Sequence, residues 1–173
     1  MRALWFWLPW MVLCGAGCAP AFDWREVRPD GSGATALFPC KPTSQSRQVR
    51  LAASQVQLVL VACAAGDATW ALAHADVLDP SLVAPALVEL RAAAASNLSA
   101  SSTLDLPLKV EGATPNPMSQ RVQLTGRLPD GKAVNAQVAV FAKGTRVFQA
   151  TVIGTRWPAD APDTFFSSLR LRP

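Results

Sequence analysis

Residues 120–153 read QRVQLTGRLPDGKAVNAQVAVFAKGTRVFQATVI, and their two-residue rhythm decides the fold class. Val122 and Leu124 alternate with polar neighbours across Gln120–Arg127. Such alternation marks a strand with one buried face. Leu128-Pro129-Asp130-Gly131 then supplies hairpin-turn chemistry: Pro presets φ, Asp can bond the backbone and Gly accepts positive φ. Ala133–Ala142, with Val134, Val138 and Val140, predicts a second strand, Lys143-Gly144 a second turn and Arg146–Ile153 a third strand. The stretch is a β-meander.

Upstream of the meander the same signals recur. Phe22–Val27 is a short apolar-polar stretch around Trp24, and Pro29-Asp30-Gly31-Ser32-Gly33 is a turn. Ala34–Phe38 predicts a strand ended by Pro39 and Pro42, which lack the N–H that a ladder needs. Arg47–Leu51, Gln55–Cys63 and Ala68–Asp76 predict three more, the last two joined by a turn at Ala64-Ala65-Gly66-Asp67. A helix follows. Asp79 suits its N-cap and Pro80 its first position, while Leu82, Val83, Leu87 and Leu90 recur at helical spacing. Pro85 bends this helix or resets its start, and Asn97 marks its end. Residues 98–118, rich in Ser, Thr and Pro, predict an irregular connection with a short strand over Leu106–Val110. Pro158–Ser168 predicts a short amphipathic helix capped by Asp160, carrying Phe165 and Phe166, with Leu169 just beyond. The predicted class is α+β: one antiparallel sheet of roughly six to eight strands, a helix after the first half, and a short C-terminal helix.

Half of the residues are hydrophobic and 16% are charged, enough apolar side chain for a sizeable core. No internal repeat stands out, so 22–173 reads as a single domain.

The N-terminus carries a different message. Arg2 precedes an almost purely apolar run, Ala3–Leu13, and then Gly15-Ala16-Gly17-Cys18. This reads as a signal peptide over 1–17 ending in a lipobox, with Cys18 taking a diacylglycerol and 18–21 forming a tether. Gly15 stands where a Leu is usual. Two other readings stay open. Ala19-Pro20-Ala21 offers an A-x-A cleavage site that would release a soluble protein, and the apolar run could stay as an anchor. An anchor would be short against the roughly 20 residues a span needs, and Pro9 interrupts it. With Cys18 lipidated, the absence of Asp at position 19 points, by resemblance to enteric lipoproteins, to the outer membrane rather than the inner one.

Cysteine parity agrees with lipidation. Cys14 leaves with the signal, and lipidated Cys18 leaves an even pair, Cys40 and Cys63, free to form a disulfide in an oxidising compartment. Two buried free thiols are the alternative.

Removing residues 1–17 takes Arg2 away and leaves fifteen basic against twelve acidic side chains, a net charge of +3. Cys18–Leu108 has six basic and eight acidic residues, Lys109–Pro173 nine and four. Arg121, Arg127, Lys132, Lys143 and Arg146 are therefore the candidate interaction surface, facing anionic headgroups or an acidic partner. The plain alternative is two solvated faces. An exported chain without a basic-aromatic motif does not point to nucleic acid.

Several of these features together resemble one family. They are Trp24, the Pro29–Gly33 turn, Ala36-Leu37-Phe38-Pro39 with Lys41-Pro42, Gly126-Arg127, Asp130-Gly131, Phe148, and Phe165-Phe166-Ser167-Ser168-Leu169. This pattern is similar to the PsbP-like α/β/α sandwich, a family that includes bacterial lipoproteins, and it spans nearly the whole mature chain. The resemblance implies a central antiparallel sheet covered by helices. It also implies a non-enzymatic role in binding or in assembling a larger complex, and it carries over no catalytic or cofactor residues.

The chemistry-bearing residues are sparse. His74 is the one histidine, on the strand face of Trp70 and two residues before Asp76, with which it could hydrogen-bond. Zinc wants three or four ligands, and a disulfide claims the spare cysteines. A G-x-S-x-G motif is absent, and Gly31-Ser32-Gly33 lacks the Lys-Ser/Thr and helix of a phosphate loop. Asp23 with Glu26, and Asp160 with Asp163, read as surface and capping carboxylates. The leading expectation is a lipid-anchored envelope protein, acting without catalysis, that docks on an envelope complex and carries no cofactor or metal. Two others are kept: a small-ligand or lipid-binding module with a cavity between sheet and helix, and a hydrolase-type enzyme centred on His74.

Overall fold

The computed structural model describes residues 22–172. The expected signal peptide over 1–17, Cys18 and the expected tether over 18–21 lie outside the described residues.

The strands in chain order are β1 (Arg25–Val27), β2 (Ala34–Phe38), β3 (Thr43–Leu51), β4 (Ser54–Ala65) and β5 (Asp67–Asp76). After α1 (Val83–Asn97) come β6 (Ser102–Leu106), β7 (Gln120–Arg127), β8 (Ala133–Lys143) and β9 (Arg146–Arg156), then α2 (Ala161–Ser167) and β10 (Arg170–Leu171). Seven strands form one antiparallel sheet in the order β3-β4-β5-β9-β8-β7-β6, and β1, β2 and β10 form a second, small sheet. The class is the α+β one read from the sequence, with the extra small sheet unforeseen.

Even spacing sorts side chains to the two faces of the large sheet. One face carries Trp70, Leu72, Phe141, Phe148 and Val152, and packs against β2, α2 and β10 through Phe38, Phe165 and Leu171. Trp24, Phe38, Trp70 and Phe165 meet edge-on, with centroids 5.3–5.7 Å apart, the geometry that ring quadrupoles favour. The other face carries Val122, Leu124, Val138, Val140 and Val147, and packs against Val83, Ala86 and Leu87 of α1. The helices and the central strands thus each bury one stripe of their own sequence against a neighbour's.

Several local expectations are corrected. The α-helix begins at Val83 because Pro80–Leu82 forms a 3-10 turn first, with the Asp79 carboxylate accepting the Ser81 N–H. Pro85 falls in the first α-turn, where a missing N–H leaves no bond unmade. The short strand in 98–118 is Ser102–Leu106 rather than Leu106–Val110, and Pro107 ends it. Asp160 occupies the N-cap position of α2, but its side chain makes no capping bond. The β3–β4 hairpin turns on Ala52 and Ala53, both at positive φ (+49° and +66°), rather than on glycine. Its tip is tied to α1 by the Ala52 N–H, which donates to the Glu89 carboxylate at 2.7 Å. Gly126 is required where it stands: an added Cβ would run into the Leu98 carbonyl, which also accepts the Arg127 N–H at 2.6 Å.

Candidate docking surfaces

Cys40 and Cys63 form a disulfide with Cα atoms 6.0 Å apart. It staples the segment after β2 to β4, and so links the small sheet to the large one.

The five basic candidates do not form one patch. Arg127 pairs with Ala133 and Lys143 with Arg146, so these positions sit at opposite ends of the ten-residue rise along β8, roughly 33 Å apart at 3.3 Å per residue. Lys132 stands in the hairpin beside Arg127. Arg121, between the ends, is buried: it pairs with the Asp163 carboxylate at 2.7 Å, donates to Gln137, and lies 4.1 Å above the Phe166 ring. At the far end Lys143 donates to the Arg172 carbonyl. Arg146 donates to the Ser32 carbonyl at 3.0 Å and lies 3.8 Å from the Asp76 carboxylate. Charge counting along the sequence could not foresee this division, because α2 covers Arg121 from a distant part of the chain.

His74 is buried on the expected face, opposite Phe148 in the ladder, with ring centroids 6.1 Å apart. It is not bonded to Asp76. That carboxylate accepts the Leu78 N–H at 2.9 Å and faces Arg146. Burial and the Arg146 charge hold the imidazole pKa below its usual value, against a hydrogen bond to the Asp30 backbone. The Asp76 pKa is also lowered, first by a hydrogen bond from the Thr145 side chain.

One residue escaped the sequence reading. Leu78 is 82% exposed, the most exposed of the large hydrophobic side chains among the described residues, and sits at φ +61°. The Val77 N–H donates to the Thr145 carbonyl and the Asp79 N–H to Val77, so Leu78 leaves the sheet beside the β8–β9 hairpin that carries Lys143 and Arg146. A leucine between Val77 and Asp79 looks like the lead-in to a helix, and nothing local distinguishes it.

The clefts are wide-mouthed. One of about 550 Å³ runs between Leu108–Ser119 and β8, lined by Leu108, Val110, Ala113, Pro117 and Phe141. Another of about 350 Å³ lies between Phe22, Gly66 and Trp157. Among the described residues no three His, Cys, Asp or Glu side chains gather as a metal site, and no helix is long and apolar enough to cross a membrane. Compared with known proteins, the chain matches no family model and none of the curated proteins.

Proposed function

We propose that the protein is exported, anchored through lipid on Cys18 at the periplasmic side of the outer membrane, and acts without catalysis as an accessory or assembly factor on an envelope protein complex. The resemblance to the PsbP-like sandwich supports this reading. Leu78 is the observation that carries it. A left-handed leucine costs about 1–2 kcal/mol, and an exposed one forgoes about 2 kcal/mol of burial. A partner that buries Leu78 recovers the second cost and gives the first a purpose. Asp76 and Asp79 flank it in the chain and Lys143 and Arg146 stand on the neighbouring hairpin, so the partner surface is an apolar pocket with a rim of mixed charge.

The test is a photo-crosslinker placed at position 78 in the full-length protein in its own membranes, with a crosslinker on β3 as control. A discrete adduct from position 78 alone, lost in Cys18→Ser, supports docking. Identical adducts from both positions contradict it. The small-ligand reading is kept by the cleft beside Phe141, which lies between the 108–119 connection and β8 rather than between sheet and helix. Its apolar residues stand among Lys109, Thr114, Asn116 and Ser119, a lining that would suit a compact amphipathic molecule. Saturable binding of an amphipathic probe there, abolished by Ala113→Trp, would favour that reading.

A further inference from the structure

We infer that the end of the large sheet formed by Gly66, Trp157 and the Leu128–Lys132 hairpin rests on the phospholipid bilayer. The inference depends on lipidation of Cys18 and adds an orientation to it.

The chain fixes where the lipid must emerge. Three residues, and so four Cα–Cα steps, separate Cys18 from Phe22, which can span at most about 14 Å. Phe22 packs against Trp24 and Trp70, with centroids 5.9 and 5.8 Å away, and its ring lies beside Gly66. The acyl chains are therefore held close to the Gly66 end of the sheet. The ladders bring three loops together there. Asp67 pairs with Arg156, Gly154 with Asn135, and Ala133 with Arg127.

The side chains at this end suit a headgroup layer. Phe22 and Trp157 are partly buried against the aromatic core and share an open cleft with Pro158. Trp favours the membrane interface because its ring is apolar with one polar edge. Arg156, 84% exposed, pairs with Asp67 at 3.2 Å. Lys132 and Asp130 are exposed on the adjoining hairpin. Both signs of charge are present, as in a layer of phosphates and ammonium groups. The ten residues of β5 then hold Leu78 roughly 33 Å away, clear of the bilayer and open to a partner.

The full-length protein, purified from its own membranes and reconstituted into phosphatidylethanolamine–phosphatidylglycerol vesicles with brominated acyl chains, tests this. The processed chain retains Trp24, Trp70 and Trp157. Quenching of tryptophan fluorescence should fall at least twofold in Trp157→Phe and return when Lys132→Trp is added to that variant. A tryptophan placed by Leu78→Trp should add unquenched signal. Vesicle-bound protein in which Trp157 and Lys132→Trp are unquenched, or in which Leu78→Trp is quenched as strongly, overturns the orientation while leaving the anchor intact. A second copy or a protein partner covering this end would give the unquenched result. Protein that does not float with vesicles and carries no lipid on Cys18 overturns the anchor and the orientation together.

Discussion

Arg121 reaches Asp163 at 2.7 Å, yet the two ends of this ion pair live in different media: the Arg121 side chain is 9% exposed and the Asp163 side chain 77%. The exposed carboxylate keeps its water, so the charge–charge part is worth little, about 0–1 kcal/mol. The arginine contributes more, through its buried stem, its place over Phe166 and its bond to Gln137. Arg121→Ala should therefore lower stability by about 2–3 kcal/mol, and Asp163→Asn by less than about 1 kcal/mol. Urea midpoints for the two variants check this, and equal losses would contradict it.

The β3–β4 turn carries strain that a change of sequence can relieve. Ala52 and Ala53 both hold positive φ, the pattern of a two-residue turn that ordinarily takes Asn-Gly. Replacing the pair by Asn-Gly should stabilise the protein by about 1–2 kcal/mol, with no change in the spectrum of the fold. A lower denaturation midpoint would show that the Glu89 tie to Ala52 depends on the alanines.

The disulfide closes a sequence separation of 23 residues. Chain entropy puts its contribution at about 3 kcal/mol. Reduction, or the double change Cys40→Ser and Cys63→Ser, should lower the thermal midpoint by several degrees. Two thiols that react with an alkylating agent in the native, unreduced protein would remove the bridge.

His74 makes stability depend on acid. Its folded pKa lies below the unfolded value of 6.5, so the unfolded state takes up the proton first. Stability should be flat above pH 6.5 and fall as the pH drops toward the folded pKa. Asp76, lowered from 3.8, acts in a more acidic range: its contribution is present above 3.8 and is lost as the pH falls through its folded pKa. Urea midpoints measured between pH 7 and pH 5 should decline in the wild type and decline less in His74→Gln. Parallel declines would place the effect elsewhere.

The strands that were legible in the sequence are those with a buried face. Ala34–Phe38 and Gln120–Arg127 occupy the predicted bounds, because one side of each packs on a core and the alternation records it. β6 was misplaced because it is an edge strand with four of its five residues exposed, Leu104 among them, so no alternation is written into it. β10 is two residues long and gains its place only by pairing with β2. The candidate surface failed to cohere for a related reason. Arg121 and Arg127 share a face by even spacing, but which of them meets solvent is decided by α2, more than thirty residues on. The pairing of Cys40 with Cys63 was legible because these two remain once Cys14 and Cys18 are set aside, and the structure decides for the bridge over two free thiols. Leu78 was not, because its exposure depends on how Asp76 and Thr145 hold the turn.

The anchor underlies both the docking and the orientation, and the intact mass of the full-length protein extracted from its own membranes tests it most directly. The account predicts a chain that begins at Cys18, carries a diacylglyceryl group and loses it in Cys18→Ser. An unmodified chain beginning at Phe22, or one that still begins at Met1, would contradict it.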